Sequence, residues 1–211
     1  TSAVALGSPK SSINFTVPTG NFGDIFAGYV AKKMGLPIDK LVIASNQNDI
    51  LHRTLVTGEY SKHELSQTIS PSMDIQVASN FERLLFDLFG GQAKFVKKAM
   101  DKLAQEGSFK LGSAVLNILK EDFLSGAASE EMTGETIKKT LNKFGELVCP
   151  HTAVGLAVAN QLRKTDNSGP MITLATAHPA KFPDSVKACT GVTPILPQRY
   201  HDLYLKKEEF S

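Results

Sequence analysis

The stretch INFTVPTGNFGDIFAGYVAKKMGLPIDKLVIA, residues 13–44, decides the fold class of this 211-residue chain. Apolar residues alternate at its start, which predicts a strand over residues 13–17. A helical pattern follows over about 24–34, and Gly35 then supplies a left-handed helix end. The continuous apolar run at 41–44 is typical of a strand covered on both faces. These residues therefore form a βαβ unit, which implies a parallel sheet with a right-handed crossover.

Helix and strand patterns recur along the rest of the chain. Predicted helices end near residue 58 and cover about 81–88, 93–105, 113–124, 134–147 and 151–163. Predicted strands cover 74–78 and 171–175, a turn covers 166–170, and the tail beyond Pro194 is expected to be extended. Residues 92–147 carry little β signal, so we expect a helical excursion, either a sub-lobe or an insertion. The fold class is α/β, a mostly parallel sheet flanked by helices.

Composition narrows the function classes. Lys and Arg total 23 against 21 Asp and Glu, and this near-neutral balance argues against nucleic acid or an anionic membrane as the main partner. No apolar run approaches the roughly 20 residues that a membrane helix needs. Cys149 and Cys189 are too few for a disulfide framework and lack zinc-site spacing. We expect a cytoplasmic protein.

The turn Thr19-Gly20-Asn21-Phe22-Gly23 is the sharpest chemical signal. Its two glycines allow a tight turn and a close approach of backbone to a ligand. The backbone N–H groups would converge at the positive end of the following helix, which favours an anion. The pattern is neither a P-loop nor the Rossmann fingerprint. A tight turn that binds nothing is an equally good interpretation of the spacing, and we interpret Asp24 as a helix cap pointing away from any ligand.

Other polar residues follow the predicted strands. Asn48 and Asp49 come after the second strand and fit ordinary helix capping as well as a ligand edge. Thr176 and His178 follow the strand at 171–175, so they would lie at the same edge as Gly20. A hydroxyl there could bind a heterocyclic nitrogen, and the histidine could carry protons or simply bind backbone. The residues alone thus predict a phosphate-group site at the carboxyl edge of the sheet, without specifying a reaction.

Segments in the same order along the chain resemble threonine synthase of the longer bacterial and fungal kind. They are NFTVPTGNFGDIFAGY (14–29) with MGLP (34–37), NDIL (48–51), SPSMDI (70–75) with SNFER (79–83), PHTAVG (150–155) and LATAHPAKF (174–182). The resemblance runs along nearly the whole chain and is least specific at 92–147. It implies a fold-type II enzyme that depends on pyridoxal 5'-phosphate and converts O-phospho-L-homoserine and water to L-threonine and phosphate.

The resemblance also implies roles for individual residues. Gly20, Asn21, Phe22 and Gly23 would hold the cofactor phosphate, and Thr176 would face the pyridine nitrogen. On the substrate side it suggests four residues. These are Asn48, Asp49, Ser72 and His178. No metal site is expected.

One departure from the family is large. Its Schiff-base lysine lies in an N-terminal segment well before the glycine turn, and here only a helix end and a strand precede Gly20. We therefore expect residues 1–211, starting at Thr1, to be the C-terminal part of a large cofactor-binding domain. The missing N-terminal half would be its partner, and this chain alone would be inactive. Two alternatives remain open, a threonine-synthase-like phospholyase that releases a keto acid and a non-catalytic module that binds a phosphate ligand.

Overall fold

A computed structural model describes residues 1–164 and 169–209 of the chain. In chain order the strands are β1 (Ile13–Pro18), β2 (Ile38–Ser45), β3 (Glu59–Ser61), β4 (Ser108–Lys110), β5 (Phe123–Ala127) and β6 (Met171–Thr173). The helices are α1 (Ser2–Ala5), α2 (Gly23–Lys33), α3 (Ile50–Thr57), α4 (Phe81–Leu88), α5 (Ala93–Glu106), α6 (Ser113–Asp122), α7 (Glu130–Phe144), α8 (Pro150–Leu162) and α9 (Pro183–Thr190). Single 3₁₀ turns cover Pro71–Met73, Pro179–Lys181, Gln198–Tyr200 and Leu203–Leu205.

The central sheet has four parallel strands in the order β5-β2-β1-β6. Strands β1 and β2 are joined through α2, so the βαβ unit predicted from residues 13–44 is confirmed. The sheet is covered on both faces, as the alternation along β2 demonstrates. Leu41 and Ile43 pack into a core with α2, α3, α4 and α6, whereas Val42 and Ala44 pack against α8. Strand β2 is apolar on both sides because neither side meets water.

Helix α8 lies close against the sheet because its sequence is rich in small residues. A Cβ atom built on Gly155 would lie 2.8 Å from Thr173 Cγ2 and 3.0 Å from Pro18 Cγ. On the neighbouring strand, a Cβ atom on Gly126 would lie 2.7 Å from Val158 Cγ1. Both glycines therefore permit a helix-to-sheet distance that any larger residue would increase. This packing brings the start of α8 next to the loops that follow β1 and β6.

Two predictions from the sequence are wrong. Residues 74–78 form no strand, because Asp74 and Gln76 use their side chains to bind neighbouring loops instead. Residues 92–147 do contain β structure, since β4 pairs with β3 and β5 is an edge strand of the central sheet. Strand β5 reads FLSGA, a short segment whose serine, glycine and alanine give little strand signal. The description of 92–147 as a sub-lobe or insertion stays a prediction.

Most of the other predicted helices and strands are confirmed. The helices at 24–34, 93–105, 113–124, 134–147 and 151–163 are present, with ends shifted by a few residues, and the strand at 171–175 is present over 171–173. Helix α9 was not predicted, and most of the turn predicted at 166–170 lies outside the described residues. None of the helices in the described ranges combines the length and apolar character needed to cross a bilayer.

Candidate functional site

Three loops meet at the carboxyl edge of the sheet. Pro18 of β1 is in register with Ala44 of β2, and Thr16 of β1 is in register with Thr173 of β6. The loops after these parallel strands, which contain residues 19–22, 46–49 and 174–178, therefore emerge on the same side. Open α/β sheets bind ligands at this edge.

The glycine turn, residues 19–23, and the first residues of α2 carry a row of consecutive backbone donors. In the described part of the chain, the six N–H groups from Gly20 to Ile25 donate no hydrogen bond to another residue. The last three are the first N–H groups of α2, which have no intrahelical partner in any helix. Phe22 precedes the helix with φ 66°, a left-handed conformation that turns the backbone toward the depression of about 220 Å³ lined by residues 18–25.

The turn is anchored by its one large side chain. Phe22 is 1% exposed, and its ring centroid lies 5.4 Å from that of Phe81 and 5.8 Å from that of Phe123. The carbonyl oxygen of Asn21 accepts hydrogen bonds from both the backbone N (3.0 Å) and Nδ2 (2.9 Å) of Asn80. The unusual φ at Phe22 is therefore held by packing in the core and by a neighbouring loop.

Gly20 is required by the loop that lies against it. A Cβ atom at this position would lie 2.5 Å from the carbonyl oxygen of Ser72, a backbone atom. Asp24, in contrast, lies exposed in the first turn of α2, and its carboxylate forms no hydrogen bond or ion pair with a described residue. The interpretation of Asp24 as a helix cap is therefore not supported.

The loop carrying Ser72 is fastened to the sheet edge by Asp74. Its Oδ1 accepts hydrogen bonds from Asn46 Nδ2 (2.8 Å), Asn48 Nδ2 (2.9 Å) and Thr68 Oγ1 (2.7 Å), while Oδ2 accepts from Thr68 N (2.9 Å). Asn46 is fully buried and also donates to Ser70 Oγ at 2.9 Å. The four hydrogen bonds to this carboxylate hold the loop firmly in place, because hydrogen bonds to charged groups contribute more stability than those between neutral groups.

The predicted substrate residues Asn48 and Asp49 are both engaged in contacts within the chain. Asn48 is 4% exposed, and besides its bond to Asp74 it exchanges hydrogen bonds with the backbone of Ser66. Asp49 forms an ion pair with Arg53, Oδ1 to Nε, at 2.8 Å. Asn48 thus positions the loop that carries Ser72, and Asp49 positions the start of α3.

Ser72 is held from the other side of the loop by His151. The Nε2 atom of this histidine accepts the Ser72 N–H at 3.1 Å, and its ring lies 4.7 Å from the ring of Phe182. Burial, with a smaller contribution from the Lys181 ammonium, lowers the pKa of His151 to about 4, while the Asp74 carboxylate opposes the shift. His151 is therefore neutral near pH 7, which lets Nε2 act as an acceptor.

Thr176 and His178 lie exposed on the loop after β6. The Thr176 N–H donates to Thr152 Oγ1 at 3.2 Å, and its own hydroxyl forms no hydrogen bond with a described residue. His178 Nδ1 accepts from Ala180 N at 3.2 Å and so caps a 3₁₀ turn. The Thr176 hydroxyl is therefore available to a ligand, whereas one nitrogen of His178 is already used.

The donors present fit a phosphorylated heterocycle. A row of unpaired N–H groups at a helix start suits a phosphate dianion, and an uncommitted hydroxyl on the adjacent strand's loop suits a ring nitrogen. The described residues contain no group of three or more His, Cys, Asp or Glu side chains arranged for a metal ion. The roles of Asp74, His151 and Thr152 were missed by sequence reasoning because their partners lie far away along the chain.

Comparison with known proteins points to one family. Residues 152–211 match the family model described as "Threonine synthase, C-terminal". Threonine synthase of Pseudomonas aeruginosa is 48% identical over 207 residues, covering 98% of this chain and 44% of the relative. That of Saccharomyces cerevisiae is 43% identical over 198 residues, covering 85% and 38% respectively.

Solved structures agree. The crystal structure of pyridoxal-phosphate-bound threonine synthase from Brucella melitensis matches with a TM-score of 0.95 and 51% identity, covering all of this chain and 45% of that chain. The yeast threonine synthase structure matches with a TM-score of 0.89 and 38% identity, covering 98% of this chain and 46% of that chain. The chain thus spans less than half the length of these relatives.

Proposed function

Since the chain belongs to the threonine synthase family, we propose that it forms the cofactor-phosphate side of a threonine synthase active site. The enzyme would be a lyase of fold type II that converts O-phospho-L-homoserine and water to L-threonine and phosphate, in amino-acid biosynthesis. Pyridoxal 5'-phosphate would be its cofactor. The rest of the active site, including the Schiff-base lysine, would come from the N-terminal half of the same enzyme.

The observation that carries this proposal is the row of free N–H groups in the glycine turn. Gly20, Asn21, Phe22 and Gly23 would bind the cofactor phosphate through their backbone, at the positive end of the α2 dipole. No lysine or arginine is among the residues lining the depression, so the anion would be held by backbone dipoles. Such donors cost no reorganisation, because Phe22 already fixes the turn.

Thr176 would hold the other end of the cofactor. Its free hydroxyl would hydrogen-bond the pyridine nitrogen, and a hydroxyl leaves that nitrogen largely unprotonated where a carboxylate would protonate it. When bound, pyridoxal phosphate supplies an electron sink for carbanion chemistry. The chain's contribution would thus be to orient the cofactor and to moderate that sink.

The four predicted substrate-side residues divide into two groups on their contacts. Ser72 and His178 are exposed at the carboxyl edge, and we propose that these two face the substrate. Asn48 is bound to Asp74, and we propose that it holds the loop that carries Ser72. Asp49 is paired with Arg53, and we propose that it holds the start of α3.

We also propose a cytoplasmic location with no nucleic-acid or membrane partner. The near-neutral net charge of +2 supports the absence of a nucleic-acid partner. Both cysteines are free, and Cys149 is buried with its Sγ 3.2 Å from Thr152 Oγ1, a contact that needs no oxidation.

The test is to incubate the intact protein that contains this chain with O-phospho-L-homoserine and pyridoxal phosphate. We expect threonine and phosphate in equal amounts. Phosphate release with keto acid and no threonine would favour the phospholyase instead. Binding of pyridoxal phosphate without turnover of this substrate would favour the non-catalytic module.

A further inference from the structure

The first turn of α8 is bonded to two loops that carry different parts of the proposed site. His151 Nε2 accepts the N–H of Ser72 at 3.1 Å, and the next residue, Thr152, accepts the N–H of Thr176 through Oγ1 at 3.2 Å. The carbonyl oxygen of Ser72 in turn lies against Gly20 of the glycine turn. Two adjacent side chains therefore connect the phosphate end and the ring end of the proposed site.

Both side chains are fixed by their own surroundings. His151 is 4% exposed, with its ring packed at a tilt against that of Phe182, and Thr152 is 5% exposed. Thr152 Oγ1 accepts a hydrogen bond from the Thr176 N–H, and it forms a second hydrogen bond with Cys149 Sγ at 3.2 Å. Helix α8 packs closely onto the sheet at Gly155, and this packing fixes the position of its first turn.

The protonation state of His151 follows from this geometry. Since Nε2 accepts a hydrogen bond, the proton of the neutral ring is on Nδ1, which has no partner among the described residues. Protonating Nε2 would place one donor against another and break the bond to Ser72. The charged groups that face the ring are Lys181, which disfavours protonation, and Asp74, which favours it.

We propose that the first turn of α8, through His151 and Thr152, is a positioning element that sets the spacing between the glycine turn and the Thr176 hydroxyl. This inference rests on the proposed function. His151 acts on the phosphate end through Ser72 and Gly20, and Thr152 acts on the ring end through the backbone of Thr176. Neither residue needs to touch the cofactor.

The test uses the intact protein with His151→Phe, which keeps an aromatic ring but removes the acceptor, and Thr152→Val, which removes only the hydroxyl. In cofactor-free protein, amide hydrogen exchange should become faster by about tenfold in segment 70–76 for the first variant and in 174–178 for the second. That factor corresponds to about 1.4 kcal/mol per lost bond. The affinity for pyridoxal phosphate should fall by a similar factor in each variant.

Matched controls separate this effect from general loosening. His52→Phe removes an imidazole hydrogen bond, to Ser125 Oγ, on the opposite face of the sheet. Thr133→Val removes a buried hydroxyl that donates to the carbonyl oxygen of Ser129, the residue that caps α7. Both should leave exchange in the two loops and cofactor affinity unchanged. His151→Gln, whose side-chain oxygen can accept the Ser72 N–H, should restore most of the affinity.

Each outcome has a distinct meaning. If exchange in the two loops is unchanged in His151→Phe and Thr152→Val, the inference is wrong, whether or not cofactor binds. If the loops loosen but cofactor affinity does not change, the positioning role is likewise overturned. If the unaltered protein fails to bind pyridoxal phosphate while the loops respond as expected, the proposed function is what fails.

Discussion

Replacing Gly20 by alanine tests the proposed phosphate turn with the smallest possible change. The added Cβ atom would lie 2.5 Å from the Ser72 carbonyl oxygen, about 1 Å short of an ordinary van der Waals contact. The loop behind that oxygen cannot easily yield, because Asp74 and His151 both hold it. The glycine turn must therefore move.

The expected changes in stability and in cofactor affinity can be estimated from the contacts that this movement would break. Overpacking of this kind costs about 1–3 kcal/mol of stability. A hydrogen bond to a charged group is worth about 1.5–3 kcal/mol, so loss of a single N–H contact to the cofactor phosphate should weaken binding by about 10- to 150-fold. We expect both effects in Gly20→Ala.

The assay is a titration of the intact protein with pyridoxal phosphate, followed by absorbance, together with urea unfolding. Gly112→Ala is the control, since a Cβ atom there meets nothing within 4 Å and its φ is −64°. Cofactor affinity within twofold of the unaltered protein, alongside reduced stability, would refute the assignment of the turn to the phosphate. Unchanged stability would refute the steric argument itself.

Three further predictions concern the surroundings of the site. Asp74→Asn should lower the free energy of unfolding by about 2 kcal/mol, measured in urea, because an amide cannot accept all four hydrogen bonds; unchanged stability would contradict the central role of that carboxylate. Folding lowers the pKa of His151 from 6.5 to about 4, so its contribution to stability is complete above pH 6.5 and is lost as pH falls toward 4. After allowance for solvent screening, we expect the free energy of unfolding to fall by about 2 kcal/mol over this pH range, and His151→Phe should abolish the fall. Parallel plots of unfolding free energy against pH for the two proteins would disprove this role of His151. Gly155→Ala should destabilise the protein by about 1–3 kcal/mol in thermal or urea unfolding, since its Cβ would meet Thr173 at 2.8 Å, and stability equal to that of Gly112→Ala would count against close packing of α8.

The glycine turn and the strands on either side of it were predictable because their signals are local. Alternating apolar residues, a glycine pair and a helix end all act within a few positions of each other. The resemblance to threonine synthase added roles that spacing alone left undecided. The contacts of Asn21 and Thr176 with a cofactor stay predictions.

The errors occurred where a local pattern competed with distant contacts. Residues 74–78 alternate like a strand, but Asp74 binds donors from three other positions and so holds the segment as a loop. Strand β5 carries a weak β signal of its own and becomes a strand because the edge of β2 offers it hydrogen-bond partners.

The sequence by itself determined the α/β class, the parallel βαβ unit and the position of the tight glycine turn, because each depends on periodicity or on backbone freedom within a short segment. Only the tertiary structure decided which residues contact the glycine turn and hold it in place. Ser72 approaches Gly20 from 52 positions further along the chain, and His151 reaches Ser72 across another 79. No local pattern encodes such pairings, because they arise only when α8 packs onto the finished sheet and brings its first turn to the carboxyl edge.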